Sequence, residues 1–331
     1  MNGFICLRGR PREGTGMSAR YLGGSDVRCG GNALSHLLRA VTAGAFFTYA
    51  LLCLIAFGAC AEASPKRSAL RHVQRWMILL DYNAALELEV RQSGAYDLVI
   101  LDADNHPPLD IFPPETVKIA YVSVGEAESY RGYWEKIKTE AFVLDENENW
   151  KENYYVDVRS AEWSAVLLRK VIPEVLQQGF DGIFMDTLDT AGLLEWRDSG
   201  KYAGSRTAMV RLVLEIHKMY PELLLISNNG YDILPEIAPV LSGILVEDLF
   251  SGIDFENGGY RAVSEADRKE RVDILLRLGG GGKIPVFTVD YADIHNRGQI
   301  REIREKSKKL GFRPYLAQGS LSAVYEQDDL P

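Results

Sequence analysis

After its first 63 residues the chain has no cysteine, since Cys6, Cys29, Cys53 and Cys60 all precede Ser64. Disulfides therefore do not stabilise the chain from Ser64 onward, and thiolate catalysis is excluded there. Histidine is nearly as scarce: His72, His106, His217 and His295 remain, none in a metal-ligand pair. HExxH, GxSxG and GxGxxG are missing in their structural contexts, so metalloprotease, serine-hydrolase and dinucleotide chemistry have no carrier. A basic surplus is missing too. Without the six arginines and three acids of residues 1–63, 31 bases face 43 acids, a net charge of −12. Such a surface does not suit nucleic acid, which calls for basic patches, but it suits a cationic ligand. The one run of four glycines, Gly279–Gly282, precedes an apolar run rather than opening a helix and so reads as a turn, not a phosphate cradle.

What is present begins with a leader. Residues 1–33 show no apolar period, whereas residues 37–61 are apolar apart from Arg39 and two threonines, and six arginines precede or open that run. A basic flank, an apolar stretch and small residues at Ala59–Ala63 describe a secretory signal. About 18 apolar residues also suffice for a membrane anchor. Lipid attachment at Cys60 is a third fate, poorly served by Phe57-Gly58-Ala59. The expected division is a leader at 1–63 and one large domain at 64–331, with the membrane touched only through the leader and the domain outside the cytoplasm.

From Trp76 onward short apolar runs recur, each closed by a polar residue: WMILLDY (76–82), DLVILD (97–102), KIAYVSVGE (118–126) and GIFMDTLD (182–189). LLLISNN (223–229), GILVED (243–248), PVFTVDY (285–291) and RPYLAQ (313–318) continue the series. Runs of this kind are strands buried on both faces. Helical spacing fills the intervals: Trp163, Val166, Leu167, Val171, Val175 and Leu176 share one face, with a kink expected at Pro173. Met209, Leu212, Val213, Ile216 and Met219 share another, and Val272, Leu275 and Leu276 a third. Eight such alternations predict an α/β fold, a (β/α)8 TIM barrel, with a doubly wound open sheet as the alternative. The interval from Glu126 to Gly182 is too long for one crossover and reads as a helix (129–140), an extended excursion (141–157) over the active face, and a second helix (160–178).

In such barrels chemistry sits at the carboxyl ends of the strands. The closing residues are Asp81, Asp102, Glu126, Asp186, Asn228, Glu247, Asp290 and Gln318. Any single Asp there can simply cap the next helix. Carboxylates crowded at one mouth, however, repel, and create an acid beside a base, the pair that glycoside hydrolysis needs. Tyr82, Tyr121, Tyr130, Tyr133, Trp134, Trp196, Tyr231 and Tyr291 accompany them, each explicable as core packing. Trp150, Tyr154 and Tyr155 lie in a polar loop and are better placed to stack on a sugar.

Three segments, GFDGIFMDTLD (179–189), YVSVGEAESYR (121–131) and SNNGYDIL (227–234), resemble the endo-α-1,4-polygalactosaminidase family, glycoside hydrolase family 114. The resemblance covers about Trp76 to Gln318. Its most specific parts are the DG-hydrophobic-x-x-D element at 181–186 and the Ser-x-Gly-x-x-Glu-x-x-Arg pattern at 123–131. It implies a (β/α)8 barrel, a nucleophile at Asp186, an acid/base at Glu247, and a lining or bracing role for Glu128 and Arg131. Two residues depart from the family: Thr187 stands where Asn is usual, and Asp248 where Gln is usual.

The sequence thus predicts a retaining, endo-acting, extracytoplasmic and monomeric glycosidase with no metal or cofactor, catalytic at Asp186 and Glu247. Its substrate is expected to be a cationic, galactosamine-rich polysaccharide held by Asp81, Tyr82, Asp102, Glu126, Glu128, Arg131, Asn228, Asp290 and Tyr291. The alternatives are a glycosidase for another glycan and a non-catalytic sugar-binding barrel at the cell surface.

Overall fold

The structure is a computed structural model, which describes residues 65–325; the leader expected at 1–63 lies outside the described residues. Among the described residues no helix is long and apolar enough to cross a membrane.

Eight strands form one sheet: β1 (Trp76–Leu79), β2 (Leu98–Asp102), β3 (Val117–Ser123), β4 (Gly182–Asp186), β5 (Leu224–Asn228), β6 (Gly243–Glu247), β7 (Val286–Tyr291) and β8 (Arg313–Ala317). They neighbour one another in chain order and every pairing is parallel. Each residue of β1 to β7 is buried, which is why these runs read as continuous apolar segments rather than alternating ones. Between the first and last strands, side chains close the barrel. The Trp76 ring lies 5.1 Å from Tyr315 and 5.2 Å from Phe287, and the Arg313 guanidinium donates to the carbonyls of Arg71 and Val73. Gly182 opens β4 where a Cβ would sit 2.2 Å from the Leu224 carbonyl oxygen, so only glycine allows that approach.

The long interval between β3 and β4 differs from expectation. Only Trp134–Ile137 is helical in the segment predicted as a helix over 129–140. The excursion folds into strands Val143–Glu146 and Asn153–Val156, which join Glu126–Glu128 in a small antiparallel sheet. Glu126 therefore opens this side sheet instead of closing β3, which ends at Ser123. The following helix is capped by Ser160, whose hydroxyl accepts from the N–H groups of Glu162 and Trp163. At Leu167–Val171 it widens into a π turn just before Pro173, which lacks the N–H that a regular helix needs. The extra residue shifts the buried face from Trp163 and Leu167 to Leu168, Ile172 and Val175; Val171 is only half-buried and Leu176 is turned outward. The Gly279–Gly282 run ends one helix and makes a 3-10 turn before β7, a turn as expected.

Candidate active site

Strands β4, β5 and β6 end on Asp186, Asn228 and Glu247, which are 3%, 2% and 3% exposed. One side-chain amide joins the two carboxyls. Asn228 Nδ2 donates to Asp186 Oδ1 at 2.7 Å and to Glu247 Oε1 at 2.7 Å. Each carboxyl's other oxygen accepts from a phenol: Tyr121 Oη donates to Asp186 Oδ2 at 2.8 Å, and Tyr291 Oη to Glu247 Oε2 at 2.5 Å.

Among the described residues no cation pairs with either acid, and burial dominates both. It pushes Asp186 up to about 7, against the hydrogen bonds from Tyr121 and Asn228 that favour its ionised form. It lifts Glu247 well above the usual carboxylate range, and the charge of Asp186 lifts it further. Burial raises both carboxyls and each one's charge opposes ionisation of the other, so the two titrate as a pair and favour holding a proton between them.

A second group of acids joins the end of β2 to the side sheet. There Arg131 pairs with Asp102 at 2.6 Å, Glu128 at 2.7 Å and Asp104 at 3.0 Å, and its guanidinium lies over the rings of Tyr121 and Tyr130. Glu128 also accepts from Tyr130 Oη at 2.5 Å, and the same oxygen lies 3.3 Å from Tyr121 Oη. Glu128 and Arg131 thus brace the phenol that contacts Asp186.

Asp81, Tyr82, Glu126 and Asp290 make no hydrogen bond to the pair. Asp81 is exposed and Tyr82 half-buried beyond the end of β1. Glu126 is fully buried, accepts from Asn147 and Thr190, and is pushed up to about 7 by burial. Asp290 is fully buried, accepts from the N–H groups of Phe250 and Ser251, and is pushed up to about 6 by burial. Among the loop aromatics, Tyr155 is 4% exposed and lies under Arg197, Tyr154 packs on Trp134, and Trp150 meets Phe255 edge-on at 5.7 Å. Among the described residues no group of three His, Cys, Asp or Glu side chains is placed to hold a metal ion.

Sequence reasoning missed three features. Tyr121 was visible only as one aromatic of a strand, although a phenol buried in an aliphatic strand needs a partner for its hydroxyl. The second is backbone conformation: the residue after each site residue is left-handed, with φ of 62° at Thr187, 46° at Asn229 and 54° at Asp248. Asn and Asp tolerate this region, whereas a β-branched Thr is strained in it. The third is what holds Thr187 there. Its hydroxyl accepts from the Gly125 N–H at 2.8 Å, lies 2.9 Å from Ser123 Oγ and donates to the Asp186 carbonyl. Gly125 admits no side chain, since a Cβ would lie 2.2 Å from the Thr187 carbonyl oxygen.

A parallel barrel that carries two buried carboxyls, cation-free and joined by one amide at its strands' carboxyl ends, has the parts of a glycoside hydrolase. The chain belongs to glycoside-hydrolase family GH114, whose sequence profile matches residues 58–330. Among solved structures it is similar to the glycoside hydrolase domain of PelA from Pseudomonas aeruginosa, with 26% identity and a TM-score of 0.65 over 76% of this chain and 97% of that one. Ega3 of Aspergillus fumigatus, solved in complex with galactosamine, shares the fold at a TM-score of 0.55 and 16% identity, over 75% of this chain and 92% of that one. An uncharacterised protein of Thermotoga maritima is 30% identical over 264 residues, which cover 71% of this chain and 78% of the relative.

Proposed function

We propose that this glycoside hydrolase is endo-acting and retaining, and that it cleaves a galactosamine-containing polysaccharide outside the cytoplasm. The observation that carries the mechanism is the shared amide. With both bonds from Asn228 at 2.7 Å, the two carboxyl oxygens stand no more than about 5.4 Å apart, as a retaining pair requires, and short of the roughly 6.5–9.5 Å of inverting enzymes.

In the first step an oxygen of Asp186 attacks the anomeric carbon, while Glu247 gives its proton to the glycosidic oxygen and the carbon–oxygen bond breaks. In the second, Glu247 takes a proton from water, whose oxygen displaces Asp186 from the sugar. Asn228, Tyr121 and Tyr291 hold the two carboxyls in register throughout. Membership of the family, the likeness to the PelA hydrolase domain and the galactosamine bound to Ega3 support an amino-sugar polymer as substrate. The net charge of −12 after residue 63 supports a cationic one, and the basic, apolar leader supports export.

Proton NMR of the first-formed product on a defined galactosamine oligosaccharide reads the anomer directly; an inverted product overturns the mechanism. Azide with an activated substrate is expected to rescue Glu247→Gln but not Asp186→Asn, because azide needs no general base. Cleavage of the same polymer is expected to weaken in kcat/KM between low salt and 0.15 M, where screening shortens the field to about 8 Å. Salt-independent turnover counts against a cationic substrate. Retention of the processed chain inside the cytoplasm, seen by cell fractionation, counts against export.

A further inference from the structure

Asp186 and Glu247 are each only 3% exposed, yet both have to touch the sugar they act on. Two arms rise from opposite sides of this pair, at the carboxyl ends of β3 and β6. The first is the turn between Val143–Glu146 and Asn153–Val156 in the side sheet. It is rooted at Glu128, which pairs with Asn153 and lies 3.3 Å from the Tyr121 hydroxyl that bonds Asp186. The second is the antiparallel hairpin of Ser251–Ile253 with Tyr260–Ala262. It is rooted at Ser251, whose hydroxyl donates at 2.7 Å to the carbonyl of Tyr291, the residue that bonds Glu247. The tips meet: Trp150 of the first arm lies edge-on to Phe255 of the second, with ring centres 5.7 Å apart. Asn228 joins the two carboxyls below, so these contacts close a hoop around the mouth of the barrel.

The arms differ in anchorage. Trp150 is half-buried and packs against the core, as do Ile253 and Tyr260 at the base of the hairpin. Phe255 at the hairpin's tip is 53% exposed. Beyond it, Gly258 and Gly259 adopt left-handed backbone with no neighbouring atom within 4 Å of the place for a Cβ, so the tip stands clear of the barrel. Asp254 fixes the turn by accepting from the N–H groups of Glu256 and Asn257. A fixed turn thus carries Phe255 to an aromatic contact, and contacts of that kind are weak enough to part. In an edge-on pair one ring keeps both faces free, and an aromatic face suits the C–H face of a pyranose. We propose that the Ser251–Ala262 hairpin is a lid, latched by Phe255 on Trp150, that lifts to admit a polysaccharide and closes with both rings against its sugars. The lid rests on the reading of the enzyme as endo-acting on a galactosamine-containing polysaccharide. An internal stretch of a long chain cannot thread a closed hoop, so it reaches the two carboxyls only when the hoop opens.

The test is to lock the latch. A Trp150→Cys/Phe255→Cys chain, with the four leader cysteines replaced by serine, is joined across its two new thiols by a bismaleimide with a disulfide spacer. The linked enzyme is expected to lose most of its turnover of a galactosamine polymer relative to the same chain unlinked, and to regain it when a reductant cuts the spacer. Linked enzyme that cleaves the polymer at the unlinked rate overturns the lid. Cleavage of no galactosamine polymer by the unaltered enzyme defeats the substrate reading and the lid with it. Phe255→Ala is expected to raise KM for the polymer by about two- to tenfold, the worth of an aromatic contact, with kcat held, and Phe255→Tyr to keep the original KM. A lowered melting temperature in Phe255→Ala with KM unmoved makes the ring a packing residue and overturns the proposal.

Discussion

At one mouth of the barrel, Asp102 and Glu128 share the guanidinium of Arg131, while Asp186 and Glu247 share only the amide of Asn228. All four carboxyls are buried to a similar degree. Burial alone therefore does not separate a structural acid from a chemical one; the partner does. A cation bridged between two acids balances their charge and fixes both side chains in place. An amide donates to each without neutralising either, so the pair keeps a proton it can move. The two regions also touch, since Tyr121 bonds to Asp186 and lies within reach of Glu128.

The largest effect expected from breaking this contrast is on turnover. Asp186→Asn and Glu247→Gln are each expected to lower kcat by more than about a thousandfold while leaving urea stability unchanged or raised, since each replaces a buried ionisable group with a neutral amide. A large loss of stability in either would make the second pair structural after all. Arg131→Met is expected to do the opposite, destabilising the barrel by about 3–5 kcal/mol in urea unfolding, because it strands two buried acids. A loss below about 1 kcal/mol would show that the ion cluster is not what holds that corner.

The third test uses pH. Asp186, Glu126 and Asp248 are each pushed up to about 7, and Asp290 to about 6, mainly by burial. These folded values lie above the unfolded ones, so the protonated form is favoured by folding. The stability they contribute is full below the unfolded values and is lost as pH rises through about 6–7. The melting temperature is therefore expected to fall between pH 5 and pH 8, and to fall less in Asp186→Asn. A melting temperature that rises over that interval contradicts the assignment. The smallest effect is at Thr187. Asn suits a φ of 62° and keeps an oxygen for the Gly125 N–H, so Thr187→Asn is expected to stabilise by about 1 kcal/mol, read as a raised melting temperature.

Much of the fold was legible because strands buried on both faces leave unbroken apolar runs, and the polar residue closing each run marks the mouth. The side sheet was not legible. Val143–Glu146 is half-exposed along most of its length and so shows no apolar alternation, and Glu126 follows β3 so closely that it read as its end. The helix over 160–178 was legible in place but not in phase. A π turn before Pro173 rotates its second half, and side-chain spacing carries no mark of that extra residue.

The sequence by itself determined the barrel, the absence of thiol chemistry after the leader, and the acids Asp102, Asp186 and Glu247 at the strand ends, because each follows from local composition and period. Only the tertiary structure decided which acids are neutralised. Arg131 lies 29 residues from Asp102, and Asn228 lies 42 from Asp186 and 19 from Glu247, so no local pattern reports these pairings. The left-handed turns at Thr187, Asn229 and Asp248 are of the same kind, since the residues that adopt them are not glycines and nothing in their local sequence marks them. Partner and backbone together decide which of several buried carboxyls can hold and release a proton, and both are properties of the folded chain.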